Sequence, residues 1–312
     1  MNSDHSQIPA RAQLSVEWPT LLVLLCTYLF WSLGTALWTT SGWLSILITG
    51  WFCAQFSSLQ HEALHGHPFP SKALNEALVS PSLLLIIPYG RFRETHLQHH
   101  FDPNLTDPYE DPESNFLDPA VWAKLSKPAR LLLHLNNTLF GRMTLGTVTG
   151  MSLWLVSEAR LIAKGTPGVL RSWVLNMLGI LPVLIWVRWT GMPFWAYVIS
   201  VFIGIGLLRI RTFLEHRAHE AFRARTVIIE DRGPLALLFL NNNYHAVHHM
   251  HPNVAWYKLP GLYRENRAHY QRRNGGYVFA SYAEIIAKYL FKAKDPVPHP
   301  LWPVRKSGQA ED

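Results

Sequence analysis

Charge is scarce in this chain. Asp, Glu, Lys and Arg make up 16% of its 312 residues, against 49% hydrophobic ones, whereas a soluble globular domain usually carries about a quarter. Cysteine is nearly absent. Cys26 and Cys53 both fall inside apolar stretches, which excludes a disulfide framework and a zinc knuckle and leaves the redox compartment open. The first 17 residues lack a basic stretch leading into a short apolar core, so no cleaved signal peptide is expected. No internal repeat, low-complexity run or nucleic-acid-binding motif is found. No electron-transfer module is fused either: there is no Cys-rich iron–sulfur or rubredoxin pattern and no haem-binding domain. The formal charge of +7 is therefore assigned to juxtamembrane Lys and Arg rather than to a nucleic-acid surface.

Long apolar runs are what the chain has instead. Four, at 19–38, 43–59, 173–189 and 193–208, come near the roughly 17 to 25 residues that a membrane helix needs. Thirteen Trp and eleven Tyr suit aromatic belts at the interfaces. The connectors 39–42 and 190–192 are short enough to be hairpin turns on one side. The N-terminus, the C-terminus and almost every Lys and Arg then lie on the other side, Arg188 excepted, and the positive-inside rule makes that face cytoplasmic. Apolar stretches at 74–90 and 131–157 are interrupted by Asn, Glu, Pro, His and Arg and are read as interfacial or re-entrant helices. Segment 101–128 repeats Asp-Pro pairs, which favour turns over helix; it is read as a cytoplasmic loop or lid. The expected division is a polar N-terminus (1–17), a first hairpin (18–60), a histidine-bearing interfacial region (61–165), a second hairpin (170–208), a cap (209–293) and a mobile Pro-rich tail (294–312).

Eight histidines in three clusters carry the chemistry: His61 and His65; His96, His99 and His100; His245, His248 and His249. Spacings of three and four put each cluster on one helix face. One such pair is an ordinary polar feature of a helix end, but two H-x-x-H-H runs in one chain point to a transition metal. Zinc is satisfied by about four ligands, often including Cys; eight nitrogens without Cys suit a pair of irons. The clusters must also share one side of the membrane, so a crossing at 74–90 is excluded if the site is single.

The boxes HEALH, HLQHH and HAVHH, in this order and after the second and fourth apolar runs, resemble the membrane fatty acid desaturase and hydroxylase superfamily over roughly residues 18–276. The first box is most similar to those of acyl-lipid desaturases and carotenoid-modifying members. The resemblance implies an all-α integral membrane fold. Four transmembrane helices would stand under a cytosolic helical cap that holds two non-haem Fe ions. It also implies a ninth ligand about thirty residues before the third box. His216 stands 29 residues before His245 and is assigned, with His219 as the competitor. The family branch with that ligand places a water-holding Asn one turn earlier; here the residue is Thr212, a departure from that pattern.

Other residues are read more plainly. Glu62 is either an acceptor for a ring N–H or a solvated charge. Asn241, Asn242 and Asn243 either cap the third-box helix or bond outer ring nitrogens, capping being the reading taken. His67 and His251 lie outside the ligand pattern. Arg91, Arg93, Lys258, Arg264 and Arg267 are either headgroup or electron-donor contacts or snorkelling side chains.

Unactivated C–H bonds are beyond acid or base side chains, whereas dioxygen chemistry at iron can break them. The expected activity is O2-dependent oxidation of a lipid, foremost acyl-lipid desaturation. The alternative is hydroxylation of an acyl chain, a carotenoid ring or an aminolipid headgroup. Electrons would come from a separate ferredoxin, rubredoxin or cytochrome with its reductase, at a bacterial inner membrane. A non-catalytic metal-binding transporter is disfavoured, because the apolar runs hold almost no ionisable side chains at mid-depth.

Overall fold

A computed structural model describes residues 16–302. The reading of no cleaved signal falls almost wholly outside the described residues. The fold is helical, with one two-residue parallel pairing of β1 (Ile228–Ile229) with β2 (Val278–Phe279). Helix α1 (Trp18–Ala36) starts at a proline-marked first turn, and α2 (Gly42–Leu64) follows a short 3-10 turn. A matching hairpin joins α9 (Val169–Trp189) to α10 (Phe194–Thr212), with Gly191 at φ 76° in its turn.

Among the described residues, three helical stretches are long and apolar enough to cross a bilayer: Trp18–Thr39, Val169–Trp189 and Phe194–Thr212. The fourth expected run is a helix of 23 residues, α2, but it does not meet the same measure of apolarity. It is the inner helix, packed on α1 and α10, and buries Thr49, Gln55, Ser58 and Gln60 inside the protein. The backbones of α2 and α10 come close because Gly50 faces Gly204: a Cβ on Gly204 would stand 2.8 Å from the Gly50 carbonyl oxygen. Small residues permit this approach between helices in membranes.

The stretch 74–90 departs from the expected helix. Only α3 (Lys72–Leu78) is helical, and residues 79–88 form an irregular loop tucked between the spans. Backbone groups of this loop bond the surrounding helices, as buried non-helical chain requires. The Ser82 N–H donates to the Gly179 carbonyl (3.1 Å), the Asn176 amide to that of Leu85 (2.8 Å) and the Tyr197 hydroxyl to that of Leu83 (2.8 Å). Gly179 is obligatory there, since a Cβ would lie 2.1 Å from the Ser80 carbonyl oxygen.

Helix α4 (Tyr89–His99) carries the second box. The Asp-Pro segment follows, then α5 (Pro119–Lys124), α6 (Lys127–Asn136), α7 (Leu139–Met143) and α8 (Leu145–Ala163). Beyond α10 come α11 (Pro234–Leu238), α12 (His245–Met250), α13 (Leu259–Glu265), α14 (Arg267–Arg273) and α15 (Tyr282–Tyr289). The expected mobile tail is anchored as far as the structure describes it. Lys294 reaches the His216 carbonyl, the Asn137 amide reaches that of Asp295, and the His299 N–H bonds the Leu117 carbonyl at 2.8 Å. Residues 303–312 lie outside the described residues.

Candidate metal centre

Four segments deliver the ligand candidates. His61 and His65 end α2, with His65 as its last half-turn. His96 and His99 sit on the last turn of α4, with His100 just after it. His216 follows α10, and His245, His248 and His249 lie on α12. The nine rings form two groups, each with ligand-capable atoms within 4.8 Å of one another: His61, His65, His96, His100 and His248 in one, His99, His216, His245 and His249 in the other. All nine sequence candidates are therefore brought together, and His216 rather than His219 joins them. His219 turns away, its Nδ1 accepting the Ala221 N–H at 3.1 Å.

The groups interlock through the second box, because His96 and His100 serve one and His99 the other. Nε2 atoms face each other at 2.8 Å between His99 and His216, 3.2 Å between His216 and His245, 3.0 Å between His96 and His100, and 3.2 Å between His100 and His248.

The outer ring nitrogens explain why Nε2 faces inward. His96 Nδ1 donates to Glu113 at 3.0 Å, His99 Nδ1 to Asp111 at 2.7 Å and His245 Nδ1 to the Asn242 amide oxygen at 3.0 Å. Carboxylates only accept, so the proton of His96 and of His99 sits on Nδ1 and the Nε2 lone pair points into the group. Lone pairs at such separations repel unless a cation lies among them. His61 Nε2 and His65 Nε2 are buried with no hydrogen-bond partner among the described residues. This donor set, nitrogen-only with inward lone pairs, fits two transition-metal ions.

Electrostatics agree. His216, His245 and His248 are held far below the usual imidazole range by burial and by neighbouring rings, which keeps them neutral, the ligand form. Around His99 the balance reverses. Burial disfavours positive charge, but Glu113 and Asp111 outweigh it and push the ring up to about 9. The same exchange acts on Glu113: burial disfavours its charge, and His99, His96 and Arg211 hold it far below the usual carboxylate range all the same. That point of the site favours a cation.

Asp111 and Glu113 were not singled out in the sequence. Both stand in the Asp-Pro segment, which is a wall of the centre more than a free lid. Asp111 also accepts the backbone N–H of Thr106 (2.9 Å) and of Glu113 (2.9 Å), so the loop is wound around it. Two carboxylates 11 and 13 residues past His100, on a turn-rich segment that must fold back, were the available signal. Thr226 is a third omission, with its hydroxyl 3.3 Å from His216 Nδ1.

The remaining candidates divide. Glu62 stands behind the first box, accepting the Trp256 N–H at 3.1 Å and lying 3.8 Å from His61 Nδ1. Asn241 does not reach a ring; its amide donates to the Trp256 carbonyl at 3.2 Å. Asn242 is the partner of His245, and α12 has no side-chain cap, so the capping reading is corrected. Thr212 makes no side-chain hydrogen bond among the described residues. His67 pairs with Glu17 at 2.8 Å and His251 with the Tyr270 hydroxyl at 3.1 Å, both outside the groups. Arg91 does not snorkel: it is buried against Glu158 through two bonds of 2.8 and 3.0 Å, and Trp173 joins the same carboxylate at 3.1 Å. This knot ties α4 to α8 and α9.

A fatty acid desaturase profile matches residues 36–281. The chain belongs to the fatty acid desaturase family. A beta-carotene ketolase of Paracoccus sp. (strain N81106 / MBIC 01143) is 25% identical over 218 residues, covering 67% of this chain and 74% of that relative. A second beta-carotene ketolase, from Paracoccus sp. (strain PC1), is 37% identical over 78 residues, 23% of this chain and 32% of that relative. Family membership, the span-like helices and the histidine groups make this desaturase family member a membrane oxidoreductase of the desaturase and hydroxylase type.

Proposed function

We propose that the protein carries two non-haem irons, one in each histidine group, and uses O2 to oxidise a C–H bond of a membrane lipid. The partition of nine buried or half-buried imidazoles into a group of five and a group of four is the observation that carries this reading. Bound there, iron supplies an oxidant strong enough for an unactivated C–H bond. The chain's own part is to fix the rings through Asp111, Glu113 and Asn242, to keep His216, His245 and His248 neutral by burial, and to close the centre with the Asp-Pro wall. We read α2 as a fourth span beside the three apolar ones, which puts all histidines on one face, the cytoplasmic face of a bacterial inner membrane.

Acyl-lipid desaturation is the foremost reaction. It removes two hydrogens, and with two electrons and two protons from a donor it reduces O2 to two waters. A second reading, oxygen insertion into a carotenoid ring, is favoured by the similarity to the ketolases. Electrons would come from a separate ferredoxin, rubredoxin or cytochrome docking on the basic face; raised ionic strength should slow that step, and salt-independent rates would argue against it. The deciding experiment is lipid mass spectrometry of a host with and without the chain, alongside a carotenoid-producing host. Loss of two hydrogens from an acyl lipid identifies desaturation, and gain of oxygen on a carotenoid identifies the second reading. Iron-replete protein with an electron donor and no product in either host would overturn both.

A further inference from the structure

The chain after α15 runs back toward the metal centre, and both of its long contacts bear on the group of four. Lys294 reaches the His216 carbonyl. Farther on, His299 is only 5% exposed and faces the Asp-Pro wall. Backbone bonds lay this stretch along the wall: the Leu117 N–H donates to the Val297 carbonyl at 2.9 Å, and the His299 N–H donates to the Leu117 carbonyl at 2.8 Å. Phe116 packs on the His299 ring, with centroids 4.9 Å apart.

The two nitrogens of that ring have fixed roles. Burial and nearby Arg225 outweigh Asp107 and hold the ring below the usual imidazole range, so it is neutral at neutral pH. The Leu301 N–H donates to Nδ1 at 3.1 Å. Nδ1 therefore presents its lone pair, and Nε2 carries the proton. Nε2 donates it to the Thr106 hydroxyl at 3.2 Å.

Thr106 is a strained residue of the wall. Its φ is 70°, in the left-handed region that a β-branched side chain rarely adopts. Such strain persists where the surroundings over-determine the conformation, and it gathers near functional sites. Here every polar group of the residue is held. Its N–H donates to Asp111 Oδ2 at 2.9 Å, its carbonyl accepts the Ser114 hydroxyl at 2.9 Å, and its hydroxyl accepts from His299. The other Asp111 oxygen accepts from His99 Nδ1 at 2.7 Å. A continuous line of bonds thus runs from His299 through Thr106 and Asp111 to His99. All of these residues are buried, so water does not stand in for a missing link and each bond orients the next.

We infer that residues 294–302 form a strap that aims the group of four, with His299 as the positioning residue for His99, acting through Thr106 and Asp111. A tail that merely anchored the wall would need only its backbone bonds to Leu117. It would not set a buried ring against the residue whose N–H fixes Asp111. Only the last link, from Asp111 to His99, rests on the metal reading proposed above.

Two measurements on the full chain in detergent keep the strap and that reading apart. Hydrogen exchange of the metal-free protein needs no ion. In His299→Ala the amides of Thr106 and Glu113, both donors to Asp111, should exchange roughly fivefold faster, the equivalent of one hydrogen bond, while α2 and α10 stay as in the native chain. His299→Gln, which keeps a side-chain donor, should restore native exchange. Unchanged exchange in His299→Ala, or exchange raised throughout the protein, would overturn the strap. Co²⁺ is then titrated into the same proteins and followed by its absorption. His299→Ala should weaken one ion by roughly tenfold, the lower end for partners outside the ligand set, and it should be the ion that Asp111→Ala weakens. The two substitutions together should lose no more than Asp111→Ala alone, since they act along one line. Thr106→Gly relieves the left-handed strain and removes the hydroxyl, so it should match His299→Ala in Co²⁺ binding without unfolding the wall. Additive losses, equal weakening of every bound ion, or native affinity in Thr106→Gly would overturn the positioning role. A native chain that binds fewer than two ions would count against the two-iron reading, and the exchange result would still decide the strap.

Discussion

The two histidine groups differ in how their rings are held. In the group of four, His99 has Asp111, His216 has Thr226 and His245 has Asn242. In the group of five, His96 has Glu113, His61 has Glu62 only at 3.8 Å, and His100 Nδ1 is buried without a partner among the described residues. Orientation is strict where ligands are few and loose where they are in surplus. A set of four has no spare member, so each ring must be aimed. Five rings tolerate one that is poorly aimed.

Removing a ligand is the strongest way to break this contrast. His99→Ala takes the group of four to three, whereas His248→Ala leaves the group of five with four. Metal analysis of purified protein should show about one metal per chain lost in His99→Ala and much less lost in His248→Ala. Activity in His99→Ala should fall by more than the roughly 100-fold that loss of an outer partner can cost. Equal metal content in both variants would sink the contrast, and full activity in either would sink the ligand assignment.

A variant that acts on both groups at once serves as the control. Glu158→Ala leaves Arg91 buried with only Glu94 as partner, and breaking a buried ion pair from one side costs about 3 to 5 kcal/mol. Since α4 carries rings of both groups, thermal stability should drop toward the lower end of that range and metal should be lost from both in proportion. Selective loss from one group would show that the knot around Arg91 does more than seat the helix.

Asp111→Ala tests the orienting partners directly. It should lower metal affinity or activity by roughly 10- to 100-fold, with the loss confined to the group of four. Glu113→Ala should be milder, since His96 sits among four other ligands. Reversal of that order, read from metal titration, would mean that charge near the centre matters more than ring orientation.

The sequence exposed the ligands and concealed what aims them, for a physical reason. Ligands come as runs on single helices, where spacing alone puts rings on one face. His61 with His65 and His245 with His248 and His249 were legible in this way. Their partners come from elsewhere in the chain: Asp111 and Glu113 from a loop, Thr226 from a segment after His216. Their relation to a ring depends on how the loop folds back, and no periodicity records that. The same limit applied to the fold. Apolar runs revealed α1, α2, α9 and α10, and α2 is the least apolar of them because it faces protein. The loop 79–88 read as helix because its apolar residues are buried as they would be in one; Pro81, Pro88 and the carbonyls bound by Asn176 and Tyr197 take it out of helical geometry.

The smallest effect lies behind the third box, which feeds both groups. Glu230 follows β1 and gathers the Tyr263 hydroxyl (2.5 Å), the Arg267 guanidinium (2.7 and 2.9 Å) and the Gln271 amide (3.3 Å). Burial disfavours its charge, but bonds from Arg267 and Tyr263 outweigh that and hold the carboxyl below its usual value. A carboxyl depressed in the folded state contributes stability that is fully present above the unfolded value, about 4.3 for Glu, and is lost as pH falls through the folded one. Glu230→Gln should therefore be less stable than the native chain at neutral pH by a modest margin, because Arg267 is largely exposed. The gap in melting temperature should close as pH drops below about 4. Metal content at neutral pH should be unchanged in both groups, since the chain entering β1 supports α12 through backbone bonds such as Ala246 N–H to the Val227 carbonyl at 3.0 Å. A pH-independent gap would mean that Glu230 acts by packing, and selective metal loss would mean that the contrast between the groups extends into the cap.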